Sequence, residues 1–176
     1  MFFIIIITVV IIQRLVELMI ARRNEKWMLR QGAYESGARH YPLMVMMHIA
    51  FFLSLLLEVS IGNRTLSPFW IALLTLFILA QVVRIWCLAS LGRFWNTKII
   101  ILPGADVVKK GPYRFIRHPN YLIVTTELLV LPLLFSAYFT AILFSLLNVW
   151  MLSVRIPVEE KALKEATNYE EKFPLK

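Results

Sequence analysis

Apolar residues fall in long blocks along this chain, not in the strict alternation of a half-buried strand. Between Phe2 and Ile20 only Thr8, Gln13, Arg14 and Glu17 are polar, and comparable blocks follow at about 43–61, 68–91, 120–134 and 137–153. A helix needs roughly 20 apolar residues to cross a bilayer core of about 30 Å, so the pattern predicts five membrane-spanning helices. The last two are separated only by Phe135 and Ser136 after Pro132, which predicts a tight C-terminal helical hairpin. The expected fold is therefore an all-α integral membrane protein. Residues 1–176 form a single domain, with a loop at 93–120 and an amphipathic tail at 154–176 outside the hydrocarbon.

Composition agrees: 59% of the 176 residues are hydrophobic and 17% charged. No basic region precedes the first block and no small-residue cleavage pattern follows it, so it reads as a retained helix and not as a secretory signal. Cys87 lies inside an apolar block, where packing is the expected role. No disulfide framework or metal-spaced set is expected.

The net charge of +8 sits mostly in three segments. Arg22, Arg23, Lys26, Arg30 and Arg39 follow the first block; Arg93, Lys98, Lys109, Lys110, Arg114 and Arg117 follow the third; Arg155, Lys161, Lys164, Lys172 and Lys176 occupy the tail. With five spans, all three fall on one side of the membrane if the N-terminus is outside and the C-terminus cytoplasmic. This predicts a multi-pass protein of the cell membrane that meets anionic lipid headgroups. A basic excess confined to loops next to the membrane does not imply nucleic acid.

Charges within the blocks cost about 2.5 to 3.5 kcal/mol each at mid-bilayer, so each needs an account. Arg14 and Glu17, three apart, read as a local pair. Arg84 is expected to reach an interface by its length, and Glu58 and His48, near opposite ends of one block, as interfacial or satisfied groups. Glu127 lies some 10 Å from Asn120 along its helix, too deep for a short side chain to reach water, and is a candidate to line a polar cavity.

Two clusters carry chemistry. Gly111-Pro-Tyr-Arg-Phe-Ile-Arg-His-Pro-Asn-Tyr121 is a basic, aromatic, imidazole-bearing turn opening into the fourth block. In the tail, Val158, Ala162, Leu163, Ala166 and Tyr169 fall on one helical stripe that also holds Arg155 and Glu159, while Glu160 points away and Pro157 threatens the register. The order of spans is expected to bring these two clusters together on the cytosolic face. A cationic amino-acid ligand such as S-adenosylmethionine suits such a set: an acid for its ammonium, donors for its carboxylate, aromatic or backbone walls for adenine and sulfonium.

Leu91-Gly-Arg-Phe-Trp95, Val107-Val-Lys-Lys-Gly-Pro-Tyr-Arg-Phe-Ile-Arg-His-Pro-Asn-Tyr121 and Arg155-Ile-Pro-Val-Glu-Glu-Lys-Ala-Leu163 resemble the isoprenylcysteine carboxyl methyltransferase family. Arg14-Leu-Val-Glu-Leu18, Arg23-Asn-Glu-Lys-Trp27 and His40-Tyr-Pro42 look more like a bacterial branch of it. The resemblance implies an S-adenosylmethionine-dependent O-methyltransferase acting on a lipophilic acceptor, either a prenylcysteine carboxylate or an alkylpyrone- or phenol-like hydroxyl. For the latter, a polyketide synthase is the implied functional partner. The family's cofactor contacts would fall on Lys98, Ala105, Asp106, Val107, Val108, Tyr113, His118, Pro119, Asn120, Tyr121 and Glu159, with Arg155 on the acceptor. Arg155 and Glu127 are the candidate catalytic residues; a hydroxyl acceptor would need a base, for which Glu127, Glu159 or His118 could serve. No metal is implied. Leu122 and Ile123 stand where the family commonly has glycine, and Ala166-Thr-Asn-Tyr169 replaces its usual Phe-Gly-x-x-Tyr stretch. Two other classes fit parts of the pattern: an NADPH-dependent membrane lipid reductase, whose relatives carry a similar Arg-His-x-x-Tyr turn, and a non-enzymatic subunit or transporter using Glu127, Asn148 and Arg84.

Overall fold

The structure, a computed structural model, describes residues 1–174. Helix α1 (Phe2–Arg30) continues well past its apolar block. Polarity after Ile20 ends the span and not the helix, because Ala21, Asn24 and Met28 continue the buried face begun by Ile7, Val10 and Glu17. Within that face Arg14 meets Glu17 at 2.5 Å, as the spacing predicts, and Gln13 adds a second donor to the same carboxylate.

Strand β1 (Tyr34–Ser36) is followed by α2 (Tyr41–Ile61), α3 (Trp70–Leu91) and β2 (Ile99–Ile101). Then come α4 (Pro119–Leu134), α5 (Tyr138–Ala166) and the short α6 (Tyr169–Lys172). The two strands pair antiparallel, Tyr34 opposite Ile101 and Ser36 opposite Ile99. Three-residue strands are too short to show a period, so the sequence pattern gave no sign of this ribbon. Helix α5 joins two regions that the hydropathy separates: it runs from the fifth apolar block through Pro157 into the tail. Proline removes one backbone donor there without ending the helix.

Among the described residues, α1, α2, α3 with the turn after it, and α5 are each long and apolar enough to cross a membrane. α4, with 16 residues, spans only about 24 Å. Their outward faces carry exposed Ile, Leu, Val, Phe and Trp side chains, a surface suited to hydrocarbon and unsuited to water. The protein is a multi-pass, all-α membrane protein.

The chain packs as two compact units. The first holds Met1–Ala38, Leu91–Val107 and the residues from Val158 onward. Its small core sets Ile99 and Ile101 of the ribbon against Ala162, with Val158, Leu163 and Ala166 around them. These are the apolar residues of the stripe projected from the sequence. Tyr169 lies beyond the end of α5, and its hydroxyl donates to Glu160, so Glu160 does not simply point away.

The second unit holds Arg39–Ser90 and Val108–Pro157. Phe51 packs edge-on against Phe144, and Leu55, Leu131 and Leu134 are fully enclosed. Polar ties join its helices pair by pair. Ser54 bonds Thr140 between α2 and α5, and Asn148 donates to Thr125 between α5 and α4. Where lipid offers no hydrophobic drive between helices, such bonds help hold and register them. Glu58 accepts from the backbone N–H groups of Phe139 and Thr140 and from the Thr140 hydroxyl, satisfying donors that the first turn of α5 leaves open. Arg84, rather than extending to an interface, turns inward onto Glu127.

Candidate functional site

In the second unit the basic turn is placed by one glycine. Gly111 has φ +57°, and a Cβ there would lie 2.0 Å from the Ser90 Oγ and 3.0 Å from the Trp86 Nε1. The chain therefore passes against α3 more closely than any other residue permits. Pro112 and Tyr113 are buried in the following 3-10 turn, and Tyr113 shares a side-chain hydrogen bond with Cys87 of α3. His118 occupies the N-cap of α4 and Pro119 its first turn, where a missing N–H costs nothing.

One turn of α4 then brings His118 and Tyr121 together with Arg155 of α5. The His118 and Tyr121 rings stack with centroids 5.4 Å apart. The Tyr121 hydroxyl accepts from Arg155 Nε at 2.8 Å, and the Arg155 guanidinium also lies over the Tyr121 ring. Arg155 is only 6% exposed and reaches Met44 Sδ at 3.4 Å. Asn120, between the stacked rings in sequence, has a buried Oδ1 with no hydrogen-bond partner among the described residues. A buried acceptor left unpaired costs about 1 to 3 kcal/mol, so a donor that the protein itself does not supply is called for here.

Glu127 is held differently. Arg84 Nε donates to its Oε1 at 2.9 Å, Arg84 Nη2 donates to its Oε2, and Gln81 donates to Oε1 at 2.6 Å.

In the first unit the segment at 105–107 is fastened by a residue outside the predicted set. Asn168 accepts from the Val107 N–H at 2.9 Å and donates to Asp106 at 2.5 Å, while the Gly104 N–H donates to the Ala166 carbonyl. Ala105 and Val107 are half-buried and Asp106 is exposed. Lys98 bridges Glu25 of α1 and Glu35 of β1 at 2.9 and 3.0 Å. The Glu25 hydrogen bond, with help from Glu35, holds its ammonium above the ordinary lysine range against a smaller burial effect. Glu159 is half-buried on α5, and Val108, at the start of the second unit's loop, is half-buried as well. Asn24, also unpredicted, donates to the carbonyls of Gly92 and Trp95. Among the described residues no group of His, Cys, Asp and Glu is arranged to hold a metal ion.

Residues 71–165 match the isoprenylcysteine carboxyl methyltransferase (ICMT) family, and this stretch includes the Gly111 turn, the His118–Tyr121 turn and Arg155. The chain belongs to the ICMT family. The family implies a membrane methyltransferase, in keeping with the apolar helices. Among its relatives is the uncharacterized protein YpbQ of Bacillus subtilis (strain 168), 49% identical over 90% of this chain and 95% of that protein. Another is an uncharacterized protein of Haemophilus influenzae, 30% identical over 85% of this chain and 88% of its own length. No solved structure matches. The ICMT match covers Ala105–Val108 and Glu159 as well, but not Asn168, whose role rests on the geometry alone.

Proposed function

We propose that this ICMT-family protein transfers a methyl group from S-adenosylmethionine to an oxygen of a lipophilic acceptor, and that this oxygen is anionic before the reaction. The observation that carries the reading is the buried, unpartnered Asn120 Oδ1 beside the linked His118, Tyr121 and Arg155 side chains. An amine or ammonium N–H satisfies that acceptor, and both are present on S-adenosylmethionine. Tyr113 and His118, in the same unit as Asn120, offer ring surface for its adenine and sulfonium. When bound, the cofactor supplies a methyl carbon on a sulfonium; the acceptor oxygen bonds to that carbon as the carbon–sulfur bond breaks.

The protein's own part is positioning. Arg155, buried and steadied by Tyr121, is suited to orient an anionic oxygen through its planar fork. Glu127 has both carboxylate oxygens engaged by Arg84 and Gln81, which supports a structural role for it and an acceptor that needs no base from α4. A prenylcysteine carboxylate and the acidic enol of a long-chain hydroxypyrone both meet that requirement. The pyrone would make a polyketide synthase the natural supplier. Holding both reactants aligned away from water then accounts for most of the acceleration.

Titration with S-adenosylhomocysteine and with NADPH tests the cofactor. The former is expected to bind, and Asn120→Ala to weaken it at least tenfold without lowering the melting temperature, since the substitution removes an unpaired buried acceptor. Binding of NADPH alone would overturn the reading. Transfer of labelled methyl to a prenylcysteine analogue, a long-chain 4-hydroxypyrone and a long-chain alcohol tests the acceptor. Methylation of the alcohol as fast as of the anions would defeat it.

A further inference from the structure

The end of α1 forms one wall of a groove of about 550 Å³ whose charged lining is entirely cationic. Arg22, Arg23, Lys26 and Arg30 project from α1, and Arg93 faces them from the turn after α3. That turn is held in place. Asn24 donates to the carbonyls on either side of Arg93 and Phe94, Phe94 packs edge-on against Trp27, and the Arg93 guanidinium lies 5.2 Å from the Trp27 ring centre. The nearby carboxylates of Glu25 and Glu35 are taken by Lys98. Among the described residues, Arg22, Arg23, Lys26 and Arg30 make no hydrogen bond or ion pair. The groove thus gathers five positive charges with no counterion among the described residues.

Its position names the partner. Leu15, Val16 and Met19 are exposed apolar residues on the turns of α1 leading to the groove, and Met19 also lines it. A ligand lying along this face meets hydrocarbon contacts first and cations about one to two turns further on, the order in which a phospholipid presents its acyl chains and its phosphate. We infer that this groove is a binding site for the headgroup of an anionic phospholipid, with its phosphate among Arg22, Arg23, Lys26, Arg30 and Arg93 and its glycerol region against Trp27 and Met19. The site is independent of the methyl-transfer reading.

The test uses the full-length protein in bilayers containing spin-labelled phosphatidylglycerol or phosphatidylcholine and compares their association by electron paramagnetic resonance. Phosphatidylglycerol is expected to be preferred, and Arg30→Gln/Arg93→Gln to cut that preference by more than tenfold, about fivefold for each charge removed. Arg39→Gln/Lys161→Gln removes the same charge outside the groove and is expected to leave the preference nearly intact. All four side chains are exposed, so both variants are expected to fold, with melting temperature as the check. Equal association of the two lipids with the wild-type protein, or an equal loss in the two double variants, overturns the inference. Displacement of the labelled lipid by inorganic phosphate at constant ionic strength would also overturn it, by showing that a soluble anion is the occupant.

Discussion

Arg84 of α3 grips Glu127 of α4 with both arms of its guanidinium, Nε on one carboxylate oxygen and Nη2 on the other, and Gln81 one turn earlier adds a third donor. Either charge alone would be prohibitive inside a membrane bundle; together they form one neutral, hydrogen-bonded object that fixes the rotation of α3 against α4.

Breaking this pair from one side is expected to be far worse than removing it whole. Arg84→Met should destabilise by about 3 to 5 kcal/mol because it strands Glu127, whereas Arg84→Met/Glu127→Met should recover most of the loss. Thermal unfolding of the three proteins in one detergent measures this. If Glu127 is structural, the double variant also retains methyl transfer to within a few-fold; a catalytic base would cost about two to four powers of ten.

A methyl group at residue 111 is expected to disturb the basic turn. Gly111→Ala meets both a positive φ and the Ser90 side chain. Adding Ser90→Gly removes the collision with Ser90 but leaves the 3.0 Å approach to Trp86 Nε1 and the backbone strain, which is about 1 to 2 kcal/mol. Melting temperature and S-adenosylhomocysteine affinity should therefore both fall in the single variant and recover only in part in the double. Full recovery would show that neither the left-handed backbone nor the Trp86 contact carries a cost.

Asn168 is expected to order the 105–107 segment. Asn168→Ala leaves the Val107 N–H without its acceptor, and hydrogen exchange across residues 104–108 should quicken by roughly tenfold, the equivalent of about 1.4 kcal/mol. Asn168→Asp can still accept from Val107 but sets a second carboxylate against Asp106. Its exchange should therefore be faster than that of the wild type at neutral pH, and equal exchange in the two would show that the Asp106 contact does not order the segment.

Lys98 supplies a pH dependence of known sign. Its ammonium is held above the ordinary value of 10.5 by Glu25 and then Glu35. A raised folded-state value means that the stabilisation is fully present below about 10.5 and lost as pH rises through the folded value. Lys98→Met should thus be destabilised by a near-constant amount between pH 7 and 9, with the gap to the wild type closing only in more alkaline solution. Unfolding followed across that range measures the gap; a gap that closes by pH 8 would contradict the pairing.

The membrane fold was legible because bilayer thickness writes itself into block length, and the blocks starting at Phe2, Leu43, Pro68, Asn120 and Ala137 each became a helix within a few residues. Polarity marked where hydrocarbon ends and not where helices end, which is why α1 and α5 outrun their blocks. The pair Arg14–Glu17 was readable from spacing along one helix. Arg84–Glu127 joins positions 43 apart in the chain, and only the packing of α3 on α4 shows that each is the other's counterion. Asn24 and Asn168 were invisible for a related reason: an asparagine that caps a distant loop has no sequence pattern to mark it. His118 and Tyr121 of the turn stack, and Arg155 of α5 bonds the Tyr121 hydroxyl, contacts that depend on how α4 and α5 pack. That the Asn120 Oδ1 is buried without a hydrogen-bond partner among the described residues is a property of the packing, which no sequence pattern marks.

The bond between Arg155 and Tyr121 leads to a prediction that separates orientation from charge. Arg155→Lys keeps the positive charge but loses both the planar fork and the geometry of the Nε–hydroxyl contact. Tyr121→Phe keeps the arginine and its aromatic neighbour but removes the hydroxyl that accepts from its Nε. If Arg155 aligns an anionic acceptor, both variants should lower kcat more than they raise KM, Arg155→Lys by about a hundredfold and Tyr121→Phe by about tenfold, because misalignment penalises the transition state more than binding. S-adenosylhomocysteine affinity should stay within about threefold of the wild type for Arg155→Lys. A fall in KM-limited binding with unchanged kcat would assign Arg155 to general attraction of the acceptor. Loss of S-adenosylhomocysteine affinity in step with kcat would place Arg155 on the cofactor instead, and the acceptor side would then have to be sought among other residues.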